Sequence, residues 1–78
     1  MDIISQNKEF FRTYPNIAKA LSKVPKLPRG YWYYVNFLDG ALFLFEMTKH
    51  KKMNVTVATD RIIMINEDGI IKDTREEI

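Results

Sequence analysis

Few residues in this 78-residue chain have side chains suited to catalysis or metal binding, and they are widely spaced. His50 is the single histidine and cysteine is absent. A Cys–His pair or a metal site built from several histidines or thiolates therefore cannot form within one chain. Four carboxylates are the remaining candidates for a catalytic or metal-binding role: Asp60, Glu67, Asp68 and Asp73. They fall in predicted turns or after strands, where such residues usually stabilise the turn. We expect no catalytic residue, metal site, cofactor or enzyme activity.

Basic and aromatic residues indicate a different chemistry, the recognition of nucleic acid. The candidate basic patch consists of Lys8, Arg12, Lys19, Lys23, Lys26, Arg29, Lys49, Lys51 and Lys52. Such side chains could follow a phosphate backbone, and neighbouring aromatic rings could stack on unpaired bases. Basic residues opposite an apolar helical stripe are equally typical of a solvated helix face, and a net charge of +2 is low for a dedicated binder. RNA or single-stranded DNA binding is therefore the alternative function.

The strongest local signal for structure is the Asp39-Gly40 pair between two apolar runs, which predicts a β-hairpin over residues 31–48. Gly40 can adopt the positive φ that a type I′ turn requires. A two-residue loop would pair Leu38 with Ala41, Asn36 with Phe43, Tyr34 with Phe45 and Trp32 with Met47.

Both faces of this hairpin are apolar. One face carries Trp32, Tyr34, Leu38, Ala41, Phe43, Phe45 and Met47, interrupted by Asn36. The other carries Tyr31, Tyr33, Val35, Phe37, Leu42 and Leu44, followed by Glu46 and Thr48. A hairpin with one solvated face normally alternates apolar and polar residues. Either the rest of the chain covers both faces, or one face meets another molecule.

The segment before the hairpin is predicted to be helical. Apolar residues at positions 3, 10, 14, 17, 21 and 24 follow the period of one buried helical stripe. Asp2 is a plausible N-cap. Pro15 lacks an N–H and disfavours helical geometry at Tyr14, so we predict two short helices, over 3–12 and from Thr13 or Tyr14 to Lys23. One helix kinked at Pro15 is the alternative.

The residues after the hairpin predict further strands. Residues 53–59 alternate in polarity, residues 61–66 form a second run, and residues 70–71 could add a short last strand. Tight turns are predicted at Asp60-Arg61 and at residues 67–69.

The sum is a single small α+β domain over residues 1–78. Its N-terminal helical segment, two short helices or one kinked at Pro15, packs on an antiparallel β-meander of four to five strands. The predicted parts are the helical segment 3–24, a connector 25–30, the meander 31–72 and a frayed tail 73–78. No stretch reads as a signal peptide or a membrane-spanning helix, and cysteine is absent. We therefore expect a cytoplasmic protein without membrane contact.

The function that the sequence favours is non-catalytic binding. Two apolar hairpin faces present more apolar surface than one short helical segment can bury, and Tyr and Trp are enriched at interface hot spots. We expect a stoichiometric contact with another protein, of the inhibitor or adaptor type, with a homodimer as one version. The expected aromatic anchors are Tyr31, Trp32, Tyr33 and Tyr34.

Overall fold

The structure, a computed structural model, describes residues 3–75 and has an α+β fold. The helical elements are α1 (Ile3–Gln6), α2 (Lys8–Thr13), α3 (Pro15–Ala20) and a 3-10 turn (Leu21–Lys23). The strands are β1 (Tyr31–Leu38), β2 (Ala41–Lys49), β3 (Thr56–Asn66) and β4 (Ile71–Asp73). They form a four-stranded antiparallel sheet in the order β1-β2-β3-β4, which confirms the predicted meander.

The predicted helix break at Pro15 is confirmed. Tyr14 is the N-cap of α3 and Pro15 occupies the first turn, where its missing N–H has no intrahelical partner to lose. The prediction of one unbroken helix before it was wrong, because Asn7 separates α1 from α2. The Asn7 side-chain amide donates to the carbonyl of Ile3 at 2.9 Å, a bond that competes with the helical backbone ladder. The N-cap predicted at Asp2 lies outside the described residues.

The first hairpin has the predicted register. Leu38 pairs with Ala41, Tyr34 with Phe45 and Trp32 with Met47. Gly40 has φ +71°, the left-handed conformation that the two-residue turn needs.

The predicted turn at Asp60-Arg61 was wrong, because β3 continues through both residues. The sheet register shifts there instead. Phe45 pairs with Ile62 and Met47 pairs with Ala58, so Glu46 of β2 lies opposite residues 59–61 of β3. This is a β-bulge, which bends a strand locally without ending it. The strand also begins three residues later than predicted, at Thr56 rather than Met53.

The helical segment covers one face of the sheet and leaves the other without a cover among the described residues. The buried core between the helices and the sheet consists of Phe11, Ile17, Ala20, Leu42, Leu44, Ile63 and Ile65. Phe37 joins it through its ring, whose centroid lies 4.7 Å from that of Phe10. The helices therefore cover the face of β2 that carries Leu42 and Leu44. The sequence did not indicate which of the two faces they would cover.

The expected fraying from residue 73 does not hold for the first residues of the tail. Asp73 is the buried last residue of β4. The amide of Thr74 donates to the carbonyl of Ile62, and the Thr74 hydroxyl accepts from the amide of Ile62. Residues 76–78 lie outside the described part of the chain.

Candidate functional site

The candidate site is the uncovered face of the sheet, which we call the open face. Strand alternation and register assign to it Trp32, Tyr34, Asn36, Leu38, Ala41, Phe43, Phe45, Met47, Lys49, Thr56, Ala58, Asp60, Ile62, Met64, Asn66 and Lys72. Its charged members are Lys49 at the end of β2, Asp60 on β3 and Lys72 on β4, so residues 32–38 of β1 and 41–47 of β2 form an uncharged part of the face. Tyr34 is 60 % exposed, Leu38 52 %, Trp32 42 % and Ile62 36 %. The open face is thus a broad apolar surface in contact with solvent, a feature that on soluble proteins marks interaction sites.

Cross-strand packing holds the aromatic residues of the open face. Tyr34 and Phe45 are paired across β1 and β2, and their ring centroids lie 6.3 Å apart at an interplanar angle of 46°. Such a tilted pair fixes both rings on the sheet surface. This contact restricts the rotamers of the two side chains, which lowers the entropy cost of a contact made through them.

The four aromatic anchors expected from the sequence divide between the two faces. Trp32 and Tyr34 lie on the open face, whereas Tyr31 and Tyr33 alternate to the helix-covered side. Tyr33 is half-buried there, and its hydroxyl donates to the carbonyl of Pro25 at 2.7 Å, which ties the connector to β1. Burial raises the pKa of Tyr33 above its usual value. The role of Tyr33 is therefore structural. Strand alternation indicates this role as soon as it is known which face the helices cover.

Tyr31 borders an apolar groove beside β1. The groove has a volume of about 660 Å³ and lies between this strand, the connector and the helical segment. Ile4, Leu27 and Trp32 line it with Tyr31. Trp32 therefore contributes to both the open face and the groove.

The basic residues of the expected patch are all exposed, but they do not form one surface. Lys8, Arg12, Lys19 and Lys23 belong to the helical segment. That segment lies on the side of the sheet opposite the open face, and Lys26 belongs to the connector. A ligand on the open face would have to wrap around the molecule to reach them.

The remaining basic residues gather at one end of the sheet, which we call the basic end: Arg29, Lys49, Lys51 and Lys52. The Tyr31–Thr48 pair lies at this end, and the Thr48 hydroxyl donates to the carbonyl of Gly30 at 2.9 Å. His50 lies in the same loop, where its Nδ1 accepts from the backbone amide of Met53 at 3.3 Å. The single histidine thus orders a loop.

The opposite end of the sheet carries exposed carboxylates, and we call it the acidic end: Asp39, Glu67 and Asp68. These residues occupy the β1–β2 turn and the turn after β3. The pairs of Ala41 with Leu38 and with Asn66 bring the two turns side by side. The β1–β2 part of the open face is therefore uncharged and lies between ends of opposite sign.

An ionic cluster, made of Glu46, Arg61, Asp73 and Arg75, lies on the helix-covered side of the sheet near the bulge, with three members almost excluded from solvent and the Arg75 side chain 49 % exposed. Arg61 Nε donates to Asp73 Oδ1 at 3.0 Å, and Arg61 Nη1 donates to Glu46 Oε2 at 3.4 Å. Arg75 Nη2 lies 3.1 Å from Glu46 Oε1. Thr59 completes the set by donating its hydroxyl to Glu46 Oε1 at 2.9 Å.

The electrostatics of this cluster indicate a structural role. Hydrogen bonds from Arg61 lower the pKa of Asp73 below its usual value. Burial opposes ionisation of Glu46, yet bonds from Thr59, Arg75 and Arg61 outweigh it and lower its pKa. Both carboxylates are thus ionised and hydrogen-bonded, which leaves no proton to donate at neutral pH. Within residues 3–75, no buried side-chain nitrogen or oxygen lacks a partner.

Sequence reasoning missed this cluster, although a signal was present. Glu46 continues the alternation of Leu42 and Leu44, and Arg61 precedes Ile63 and Ile65 at the same spacing. A charge at the next core-facing position of each of two neighbouring strands predicts a buried pair. The assignment of Arg61 to a turn and of Asp73 to the tail hid that pattern.

Two searches of the described residues bear on other kinds of site. Across residues 3–75, no group of three or more His, Cys, Asp or Glu side chains is arranged to hold a metal ion. No helix within the same range has the length and apolar character to cross a membrane.

Comparisons of the chain with family models, with curated proteins and with solved structures found no match.

Proposed function

We propose that this protein is a non-catalytic binding protein, which makes a stoichiometric contact with another protein chain through its open face. The observation that supports this most is the 60 % exposure of Tyr34 on the uncharged, aromatic part of the open face that β1 and β2 form. Exposure of such a face to water is unfavourable, because the free energy falls when another surface covers its apolar area.

The area of the open face supports a protein partner over a small ligand. Large side chains such as Trp32 and Tyr34 each carry about 150–250 Å² of surface. With the exposures of Tyr34, Leu38, Trp32 and Ile62, these four side chains alone offer about 400 Å², half of the ~800 Å² per partner of a standard interface, and the other residues of the face add to this area. A broad sheet surface of this kind suits a second protein surface better than a small molecule, which usually binds in a concave pocket.

The residue types also suit this function. Trp and Tyr are the side chains that most often dominate binding energy, and Met and Phe fill the surrounding contact. The basic and acidic ends lie outside this apolar centre, where charges steer encounter and set orientation. We propose a cytoplasmic location for this contact, an expectation that comes from the absence of cysteine.

The test compares Tyr34→Glu with Ile4→Glu. Both residues are exposed, but Ile4 belongs to the helical segment on the other side of the sheet. Each chain is used as bait against an extract of its source cell, and its self-association is measured in parallel. We expect a bound protein, or a second copy, that the wild-type chain and Ile4→Glu retain and Tyr34→Glu loses. The same bound set for all three chains would overturn the proposal.

Nucleic acid binding is the second candidate, because Trp32 lies next to the basic end. Its pair with Met47 adjoins the Tyr31–Thr48 pair at which the sheet ends. Exposed rings on a sheet beside cationic side chains are the arrangement that single-strand binders use. Titration with random-sequence RNA and single-stranded DNA at several salt concentrations tests it. Binding that weakens steeply with salt and is lost in Lys51→Glu plus Lys52→Glu would favour this candidate, and no binding at low salt would remove it.

A further inference from the structure

We infer that the occupant of the open face is a second copy of this chain, packed face to face in a symmetric dimer whose strands run antiparallel across the interface. The inference rests on the proposed function, because it names the partner of the same face. It follows from the charges at the two ends of the sheet, the lack of charge at its centre, and the position of Asn36.

The centre of the open face is compatible with its own copy. A two-fold axis brings the same patch of each chain into contact, so any charged residue at the centre would meet its like. The open-face residues of β1 and β2 between the two ends include none. The charged residues that strand alternation places on this face are Lys49 at the basic end, Asp60 on β3, where it pairs with Arg75, and Lys72 on β4, and none of them lies on β1 or on residues 41–47 of β2.

The charged ends select one of two symmetric arrangements. A two-fold axis parallel to the strands would place basic end over basic end and acidic end over acidic end. An axis across the strands, in the plane of the interface, reverses one copy and places each basic end over the acidic end of the other copy. Like charges in close contact destabilise an interface, whereas opposite charges orient it. The antiparallel arrangement is therefore the one that this charge pattern favours.

The same axis gives the one polar residue at the centre a partner. Full overlap of both ends places the axis across the middle of β1, between Tyr34 and Asn36. Tyr34 of each copy then faces Asn36 of the other, and its hydroxyl can bond the amide. Phe45 faces Phe43 in the same way, and Trp32 faces Leu38. Two sheets stacked in this manner lie about 10 Å apart, the spacing of a β-sandwich core.

The size of the contact is at the lower end of the range for specific interfaces. Trp32, Tyr34, Leu38 and Ile62 supply about 800 Å² for both copies together, and the other residues of the two faces raise the total toward the lower bound of ~1,200 Å². The helical segments would lie on the two outer sides of such a dimer. Both outer faces would then be covered, and the assembly would have one shared sheet-to-sheet core.

Sedimentation equilibrium on reciprocal charge variants tests the arrangement. Lys49→Glu, Lys51→Glu plus Lys52→Glu leaves Arg29 against three glutamates and makes both ends acidic, and Glu67→Lys plus Asp68→Lys leaves Asp39 against two lysines and makes both ends basic. We expect each of these two variants to weaken the dimer about tenfold, because every dimer contains each end twice. A chain with all five substitutions has its polarity reversed, and we expect it to dimerise more tightly than either partial variant.

Two control variants accompany these chains. Lys19→Glu plus Lys23→Glu changes as many charges on the helical side as Glu67→Lys plus Asp68→Lys changes at the acidic end, and we expect it to leave the dimer unchanged. Tyr34→Glu places a charge at the centre, and we expect it to abolish the dimer. All substituted residues are exposed, and thermal unfolding of each chain confirms that the fold is retained.

Each outcome decides the inference. A wild-type chain that stays monomeric at high micromolar concentration overturns it, and Tyr34-dependent capture of a different protein would still support the proposed function. A dimer that survives Tyr34→Glu overturns both, because the contact then lies elsewhere. A dimer that is lost with Tyr34→Glu but is as weak in the fivefold variant as in the two partial variants overturns the antiparallel arrangement.

Discussion

Arg61 joins β3 to β4 by donating from Nε to Oδ1 of Asp73 at 3.0 Å, with both side chains almost excluded from solvent. Arg61 also bonds Glu46 of β2, so one guanidinium connects three strands. Charges this deeply buried are tolerated only while every one of them is paired. The cluster therefore stabilises the sheet as a set, and the loss of one member leaves the others in an unfavourable environment.

Removal of Arg61 should expose this dependence. We expect Arg61→Met to lower the free energy of unfolding by about 3–5 kcal/mol, because Asp73 loses its guanidinium partner inside the protein. Urea unfolding measures the change. Asp60→Asn is the control, since the side chain of Asp60 is 93 % exposed and its ion pair with Arg75 is at the surface. A loss as small as that of the control would contradict the structural role of the cluster.

Stability should fall in acid because of Glu46 and Asp73. Both carboxyl groups have a pKa below the usual value in the folded chain. Between the folded and the unfolded pKa the unfolded chain binds more protons, so acid favours unfolding. The stabilisation is thus fully present above the ordinary carboxyl pKa of about 4 and is lost as the pH falls through the folded values.

The measurement for this prediction is the free energy of unfolding as a function of pH. We expect Asp73→Asn to be less stable than the wild type at neutral pH and to show a shallower decline in acid. Asp68→Asn, in an exposed turn, should follow the wild-type slope. Equal slopes for the wild type and Asp73→Asn would count against the assigned cause.

Ile62 and Ile63 are adjacent on β3 but point to opposite faces. Ile63 is fully buried under the helices, and we expect Ile63→Ala to cost about 2–5 kcal/mol in chemical unfolding of the monomer. Ile62 lies on the open face, so Ile62→Ala should cost far less in the same measurement and should weaken self-association instead. The reverse order of the two costs would mean that the helices cover the other face.

A comparison of alanine substitutions at Gly69 and Gly30 distinguishes a steric clash from backbone strain. Both have positive φ, +82° and +92° respectively, so alanine is strained at either position. A Cβ at Gly69 would lie 2.9 Å from the backbone oxygen of Asn16 in α3, whereas a Cβ at Gly30 meets nothing within 4 Å. We expect Gly30→Ala to cost about 1–2 kcal/mol and Gly69→Ala to cost more. Thermal unfolding compares them, and equal costs would argue against the close contact with α3.

Local signals predicted much of this fold. The hairpin register follows from a two-residue turn at Gly40 and from strand alternation, and the break before α3 follows from the missing N–H of Pro15. These features depend on residues that are close in the chain. The interruption at Asn7 was missed because the apolar stripe runs across it without a change of period.

The candidate site needed three-dimensional information. Alternation separated the two hairpin faces correctly, but nothing in the sequence indicated that the helices would cover Leu42 rather than Phe43. The division of the basic patch follows from that same choice, since it places Lys19 and Lys51 on different parts of the surface. The ionic cluster depends on contacts between Glu46 and Arg75, which the chain brings together only through the bulged register.

The bulge in β3 has a consequence for how this sheet can vary. Successive strand residues point to opposite sides, so one extra residue would invert the orientation of everything before it, from Thr59 back to Thr56. The observed offset is two residues, which returns the strand to its original phase, and Val57 stays on the covered side while Ala58 stays on the open side. A chain that lacked both extra residues would keep each side chain on its present side of the sheet but would lose hydrogen-bond donors to Glu46. A chain that lacked only one would turn the covered side chains of this segment outward.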